Sequence, residues 1–409
     1  MMESSPGPAR VDALAGIRVV DFTIVMSGPM CTRILADAGA DVIKIEPPEG
    51  DMVRQRPPFR AGISTYFASM NCGKRSTVLD LHTPAGRQAA LELAGQADVV
   101  VENFRPGVMK RLGLDYETLA RANPRLIYCS ISGFGQTGPM SQAPAYAPII
   151  HAASGYEDAF TRYQGEGSQP ANNGIFIADV LGAIHAASAI QTALLQRCRT
   201  GRGQSIDVSL MDSVLGMLIY ELQNAQFPAE RQRQVYQPVR ASDGWVMVAA
   251  ITPRNLSALF DAIGFPQGKT DPRFATVAEK EANWHALLRI VEDWTSQRTA
   301  LECERTLMQA GVPCSRYRTV GEAMSDPQAQ HRGSMAAIGT QGEPFEVPNP
   351  PYRLSESRTE ARNVLPHLGR HTEEVLRTVL GYDDARLAAM RAGGAFGPVA
   401  ATEPSLDPG

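Results

Sequence analysis

Apolar and polar positions fall into alternating short blocks along the first half of the chain. GIRVVDF at 16–22 is a β-branched run ending on a polar residue, SGPMCTRILADAG follows with helical spacing, and DVIKIE places a second strand at 42–46. Ser27 stands in N-cap position and Gly39 in C-cap position for the helix between them. STVLDL at 76–81 reads as a strand, and Thr83-Pro84 has the N-cap and N1 types for the helix PAGRQAALELAGQ. DVVVENF at 98–104 is a nearly continuous apolar strand, a short helix over Tyr116–Ala122 is stopped by Asn123-Pro124, and RLIYCSIS at 125–132 is a further strand. Repeated strand, helix, strand order predicts an α/β fold with a Rossmann-like, doubly wound parallel sheet. Such sheets take ligands in the crevice at the carboxyl ends of their strands.

From Gly138 to Asn173 the pattern loses its period and turns rich in Gly, Pro, Ser, Asn and Gln, which predicts loops and short helices. A long helix then runs from about Asp179 to Cys198, followed by the strand SIDVSL and the apolar helix MDSVLGMLIYELQNAQF. The character changes near residue 226. Residues 226–330 read as a small α+β domain inserted into a large one made of 1–225 and 331–395, with 396–409 as a mobile tail lacking a core-forming pattern.

Composition narrows the function. A chain of 409 residues, 44% hydrophobic and 20% charged, has ample material for a core, and a net charge of −4 with Lys and Arg spread along the chain gives no general attraction to nucleic acid or anionic lipid. The six cysteines show no Cys-x-x-Cys spacing, and the seven histidines show no i,i+4 pairing, so no metal site is expected. MMESSPGPAR lacks the order of a signal peptide, and no apolar run reaches the ~20 residues of a membrane span. A cytoplasmic protein with reduced thiols is expected, without nucleic-acid or membrane partners.

Familiar catalytic signatures are missing: there is no Gly-x-Ser-x-Gly elbow, Walker loop or His-Glu-x-x-His. GFGQTG at 133–138 matches Gly-x-Gly-x-x-Gly after a strand, but Pro139, Pro144 and Pro148 leave no helix N-terminus to receive a pyrophosphate. What remains is a set of basic residues near strand ends and one isolated carboxylate. Arg54 and Arg56 follow the strand 42–46, Lys74 and Arg75 precede the strand 76–81, and Arg105 and Arg111 follow the strand that ends at Phe104. Singly each reads as a solvated charge, and together they suit the phosphates of a nucleotide-bearing ligand. Asp179, alone in the apolar run FIADVLGAIHAA, reads as a first-turn acid favoured by the helix dipole. The same placement, partly dry and ionised, is that of a carboxylate nucleophile for acyl transfer.

In combination, the runs LAGIRVVDFTIVMSGPMCTRILADAGADVIKIEPPEGD, GKRSTVLDL, ADVVVENFRPGVMKRLGLDYETLARANPRLIYCSISGFGQTGP, IADVLGAIHAA, RTGRGQSIDVSLMDSV and PHLGRHTEEVLRTVLGY resemble the class III CoA-transferases. That family also holds the α-methylacyl-CoA racemases. The resemblance implies that Asp179 is the catalytic aspartate, attacking an acyl-CoA thioester and passing through an anhydride and an aspartyl-CoA thioester. No tightly bound cofactor is implied; CoA and acyl-CoA are substrates, with a carboxylic acid as acceptor. Val25, Met26, Lys74, Asn103, Phe104 and Arg111 fall in runs that contact CoA in the family, with Arg54 or Arg56 sharing phosphate binding because Pro47 stands where several members have Arg.

The racemase branch carries Gly-His-Asp where this chain has Ala145-Tyr146-Ala147; without that histidine, two-base proton exchange lacks a partner, and transferases carry Ala-Tyr there. Tyr146 is therefore placed in the substrate site, and His151, five residues on, reads as a structural histidine. The glycine-rich active-site loop of the formyl-CoA transferase branch has no counterpart between 225 and 260, which points toward a different acid, a short dicarboxylate with succinyl-CoA as donor. The resemblance also implies an interlocked homodimer. The alternatives are a racemase or isomerase of acyl-CoA, a non-catalytic acyl-CoA-binding protein, and a nucleotide-dependent oxidoreductase resting on the glycine loop.

Overall fold

Six short strands, each flanked by helices, form one all-parallel sheet: β1 (Arg18–Asp21), β2 (Asp41–Glu46), β3 (Arg75–Val78), β4 (Val99–Glu102), β5 (Ile127–Ser132) and β6 (Ser205–Ser209). Their spatial order is β3-β2-β1-β4-β5-β6. The order reverses between β1 and β4, and the crevice at such a switch point is where doubly wound sheets hold ligands. The computed structural model describes residues 11–60, 62–165, 167–170, 173–229, 234–340 and 342–397. The expected tail from 398 onward lies outside them.

The helices up to residue 226 are α1 (Ser27–Asp37), α2 (Thr65–Asn71), α3 (Pro84–Gly95), α4 (Val108–Leu112), α5 (Tyr116–Ala122), α6 (Ala147–Ala153), α7 (Tyr156–Arg162), α8 (Ile177–Thr200), α9 (Leu210–Leu215) and α10 (Ile219–Gln226). Successive strand side chains point to opposite faces. Val19, Val42, Val99 and Val101 therefore face α1 and α8, where Cys31, Leu35, Ala183, Ala186 and Ile190 meet them. Val20, Ile43 and Val100 face the other way. They are covered by Ala89, Ala90 and Leu93 of α3 and by Val375, Leu376, Leu387 and Met390 of two C-terminal helices, Thr372–Leu380 and Asp384–Ala392.

The backbone divides into a unit of Met1–Gln223 with His331–Gly409 and a second unit of Asn224–Gln330. The second has its own apolar core around a three-stranded antiparallel sheet, β7 (Pro238–Ala241), β8 (Gly244–Val248) and β9 (Cys314–Arg316). Its helix at Pro253–Ala262 opens with a Thr252 capping box.

Three local expectations are corrected. Ser27 is the first helical residue of α1 rather than its cap; Met26 holds the cap position and offers no side-chain bond to the helix. The single apolar helix expected after residue 210 is broken into α9 and α10 around Gly216–Leu218. α8 is long and apolar enough by composition to cross a bilayer. Its small residues are instead core: Ala178, Gly182, Ala183, Ala186 and Ala187 are buried, and a Cβ on Gly182 would lie 2.2 Å from Leu210.

Candidate active site

The loop after β1 is shaped by buried charges. Asp21 accepts hydrogen bonds from the Thr23 amide (2.8 Å), the Thr32 hydroxyl (2.6 Å) and the Lys74 ammonium (3.0 Å), with both side chains of the ion pair fully buried. A second buried pair, Lys44 and Asp51 at 3.3 Å, lies beside it, and Lys44 also donates to the Thr23 carbonyl at 2.7 Å. Asp51 in turn accepts from the Val25 amide at 3.2 Å. Val25 has φ of +67°, the left-handed region that a β-branched residue occupies only when its surroundings impose it. Here the surroundings are Asp51 on one side and a small apolar cluster around Phe67, Ile338 and Val347 on the other.

Asn103, just past the end of β4, ties the same loop to the switch point. Its side-chain carbonyl accepts from the Ile24 amide at 2.8 Å, and its amide donates to the Ile24 carbonyl at 2.9 Å and to Ser27 Oγ at 3.4 Å. Gly28 permits the tight entry into α1, since a Cβ there would meet Thr23 at 2.3 Å.

Ser27 reaches across to Asp179. Both residues sit in first turns, of α1 and α8, and these helices pack against each other. The Ser27 hydroxyl lies near enough to the Asp179 carboxylate to favour its charged form. Burial pushes the Asp179 carboxyl up to about 6, and the Ser27 hydroxyl pulls against that rise. The result is a half-buried carboxylate that is ionised at neutral pH, with few groups around it to occupy its lone pairs.

Tyr66 on α2 completes this wall. Its hydroxyl donates to Met26 Sδ at 3.7 Å, and its own pKa is raised by burial and then by the charge of Asp179. Arg56 is close enough to act on Tyr66 in the opposite sense, and its guanidinium is exposed. Sequence reasoning assigned Tyr66 no role and Ser27 only a capping one. TYFASMN mixes apolar Phe67, Ala68 and Met70 with polar Thr65, Ser69 and Asn71, so nothing local marks Tyr66 out.

His151 lies behind Asp179. It is fully buried, and Nε2 accepts the backbone N–H of Ala178 at 3.2 Å. With that lone pair engaged, the ring is not free to act as the exchange base of a racemase.

The expected phosphate contacts separate into two groups. Lys74 does not fit: its ammonium is fully buried and donates to Asp21, to the Pro29 carbonyl (2.9 Å) and to Asn71 (2.8 Å), so all three donors are used inside the protein. Burial lowers its pKa to about 8, against the pull of Asp21. Arg54 does not fit either, because it forms a bidentate pair with Glu46 (2.7 and 2.6 Å), donates to the Pro366 carbonyl and lies over the Phe67 ring. Arg111 on α4 and Arg105 before it are exposed at the carboxyl edge, with no ion pair to any described residue. Phe104 is half-buried beside them, its amide donating to Glu102 at 2.9 Å, and Tyr146 is 66% exposed at the start of α6. The GFGQTG loop uses its Gln136 amide on Asp207 (3.0 Å), and no helix begins before Ala147, so it is not built as a dinucleotide cradle.

Comparison with known proteins bears on this arrangement. The family model for CoA-transferase family III matches residues 14–372. The chain is 38% identical to an acetyl-CoA:oxalate CoA-transferase of Acetobacter aceti, covering 87% of this chain and 92% of that one. It is 33% identical to a succinate–glutarate CoA-transferase of Agrobacterium fabrum, over 90% and 96% of the two chains. A crystal structure of a CaiB/BaiF family protein from Brucella suis superposes with a TM-score of 0.79 at 34% identity, covering 90% of this chain and 98% of that one.

Proposed function

The chain belongs to CoA-transferase family III, a CoA-transferase acting on acyl-CoA and carboxylate substrates, and we propose that Asp179 is its nucleophile and a short dicarboxylate its acceptor. The observation that carries this reading is the half-buried Asp179 carboxylate, raised to about 6, in the first turn of α8 where that helix packs against α1. At pH 7 roughly nine-tenths of it is ionised, and partial loss of water sharpens it as a nucleophile.

Four displacements complete the reaction. The Asp179 oxygen attacks the thioester carbonyl of the donor, the C–S bond breaks, and CoA leaves as thiolate with a mixed anhydride behind it. The thiolate attacks the aspartyl carbonyl, the anhydride C–O bond breaks, and the donor acid departs as carboxylate. The acceptor carboxylate then attacks the aspartyl-CoA thioester and again frees the thiolate. Attack of that thiolate on the acceptor's carbonyl gives the new thioester and returns the Asp179 carboxylate. No net proton is gained or lost.

Arg105 and Arg111, unpaired among the described residues at the strand ends, suit the CoA phosphates, and Met26 with Tyr66 walls the acyl position. A dicarboxylate is supported by the exposed Arg56 beside Tyr66, a cation for the carboxylate that does not react, and by the relatives named for oxalate and glutarate. The missing glycine-rich loop speaks against oxalate and the first relative's name speaks for it, so oxalate, succinate and glutarate belong in one panel. The interlocked homodimer and the cytoplasmic location are part of the same proposal.

The test is intact-protein mass spectrometry after incubation with succinyl-CoA and acetyl-CoA, with and without hydroxylamine, on wild type and Asp179→Ala. The expected result is a CoA-sized adduct on wild type that hydroxylamine removes and the variant never forms. A wild type that carries no adduct but exchanges an α-proton in deuterium oxide would overturn the proposal in favour of the racemase branch.

A further inference from the structure

The N-terminus of α8 is capped from outside. Phe176 occupies the cap position and offers no side-chain acceptor, so the first-turn N–H groups of the helix depend on other partners. The N–H of Ala178, the residue before Asp179, is taken by His151 Nε2 on α6. A ring that accepts through Nε2 must carry its proton on Nδ1, and Nδ1 has no hydrogen-bond partner; the nearest carboxylate, Glu157 on α7, is 3.8 Å away. The fully buried ring is braced edge-on by Tyr156, with centroids 5.4 Å apart.

From this geometry we infer that His151 is the positioning residue for the nucleophile: as a neutral imidazole it fixes the first turn of α8 and so the place from which Asp179 attacks. The inference rests on Asp179 being the nucleophile. Protonation would remove the acceptor lone pair and set a cation against the positive end of the helix dipole. The helices packed on α6 carry Tyr156, Glu157, Asp158 and Arg162 on α7, Asp179 and His185 on α8 and Asp212 on α9. Of these Tyr156 and Glu157 contact the ring, Asp158 pairs with Arg162, and His185 is exposed. Burial lowers the pKa of His151 and Glu157 opposes it, which keeps the neutral form in place at pH 7.

Two variants separate positioning from general support of the fold. Glutamine offers a carbonyl to the Ala178 N–H, and leucine fills the space without an acceptor. With kcat counted per adduct-forming site, His151→Gln is expected to stay within about threefold of wild type, and His151→Leu to fall by roughly 10–100-fold with KM for acyl-CoA within about twofold. Below pH 6 the wild-type rate is expected to fall more steeply than that of His151→Gln, which has no imidazole to protonate. Hydrogen exchange read by mass spectrometry gives a measure independent of chemistry: peptides covering Phe176–Leu181 should exchange faster in His151→Leu and unchanged in His151→Gln. A folded His151→Leu with wild-type kcat and wild-type exchange would overturn the inference. Exchange that responds as expected in an enzyme whose wild type forms no adduct would support the cap and refute only the nucleophile.

Discussion

The hydroxyl of Ser27, in the first turn of α1, favours the charged form of Asp179, in the first turn of α8, across 152 positions of sequence. The hydroxyl favours the ionised carboxylate while burial favours the protonated one, and burial wins by enough to leave the group near 6. Ser27→Ala removes the opposing hydroxyl, so the Asp179 pKa should rise further. A hydrogen bond to a charged group is worth about 1.5–3 kcal/mol when buried, less here where water reaches the site, so the acid limb of kcat/KM should move up by about one pH unit. A pH–rate profile of the variant measures it; an unmoved limb would show that Ser27 does not tune the group.

Asp179 should also be a liability for stability. Its folded pKa is raised from 3.8 to about 6, so ionisation is penalised in the fold: the penalty is fully present above about pH 6 and gone below about pH 4. Asp179→Asn should therefore stabilise the protein by about 1–2 kcal/mol at pH 7, allowing for solvent at a half-buried site, and by almost nothing at pH 4. Urea unfolding of both proteins at the two pH values is the measurement.

Lys74 and Arg111 should behave oppositely. Lys74→Met leaves the buried Asp21 charge with its Thr23 and Thr32 bonds but without its ion-pair partner, and is expected to lower stability by about 3–5 kcal/mol, with KM for acyl-CoA unchanged in whatever protein folds. Arg111→Ala should leave the unfolding midpoint within about 0.5 kcal/mol and raise KM for acyl-CoA several-fold, the more so at low salt. A stable Lys74→Met with raised KM would return Lys74 to the phosphate site.

Arg56 tests the acceptor. Arg56→Gln is expected to raise KM for succinate or glutarate by about tenfold and leave KM for a monocarboxylate such as acetate unchanged. Equal effects on both acids would remove the dicarboxylate argument that rests on this residue.

The central strands were legible because they are buried on both faces and rich in β-branched apolar residues: Val99, Val100 and Val101 are all fully buried. Asp179 was legible for the opposite reason, as one charge in an apolar run. The roles of Lys74 and Arg54 were not, because burial is decided by partners far off in sequence. Lys74 meets Asp21 53 residues away, and Arg54 meets the Pro366 carbonyl 312 residues away. Nothing local separates a lysine that faces a phosphate from one that neutralises an interior aspartate. Ser27 misled in a related way: Ser is a common helix cap, but Met26 holds the cap position here and the Ser27 hydroxyl accepts from Asn103 at 3.4 Å.

The C-terminal helices carry a consequence for synthesis. Val20, Ile43 and Val100 are covered in part by Val375, Leu376, Leu387 and Met390, residues translated more than 150 positions after the last strand of the sheet. A ribosome therefore releases all six strands, and the whole of Asn224–Gln330 with its separate core, while one face of the sheet is still partly bare. The nascent large unit has an apolar surface for a chaperone to hold until the final helices emerge, whereas the inserted unit is free to fold first.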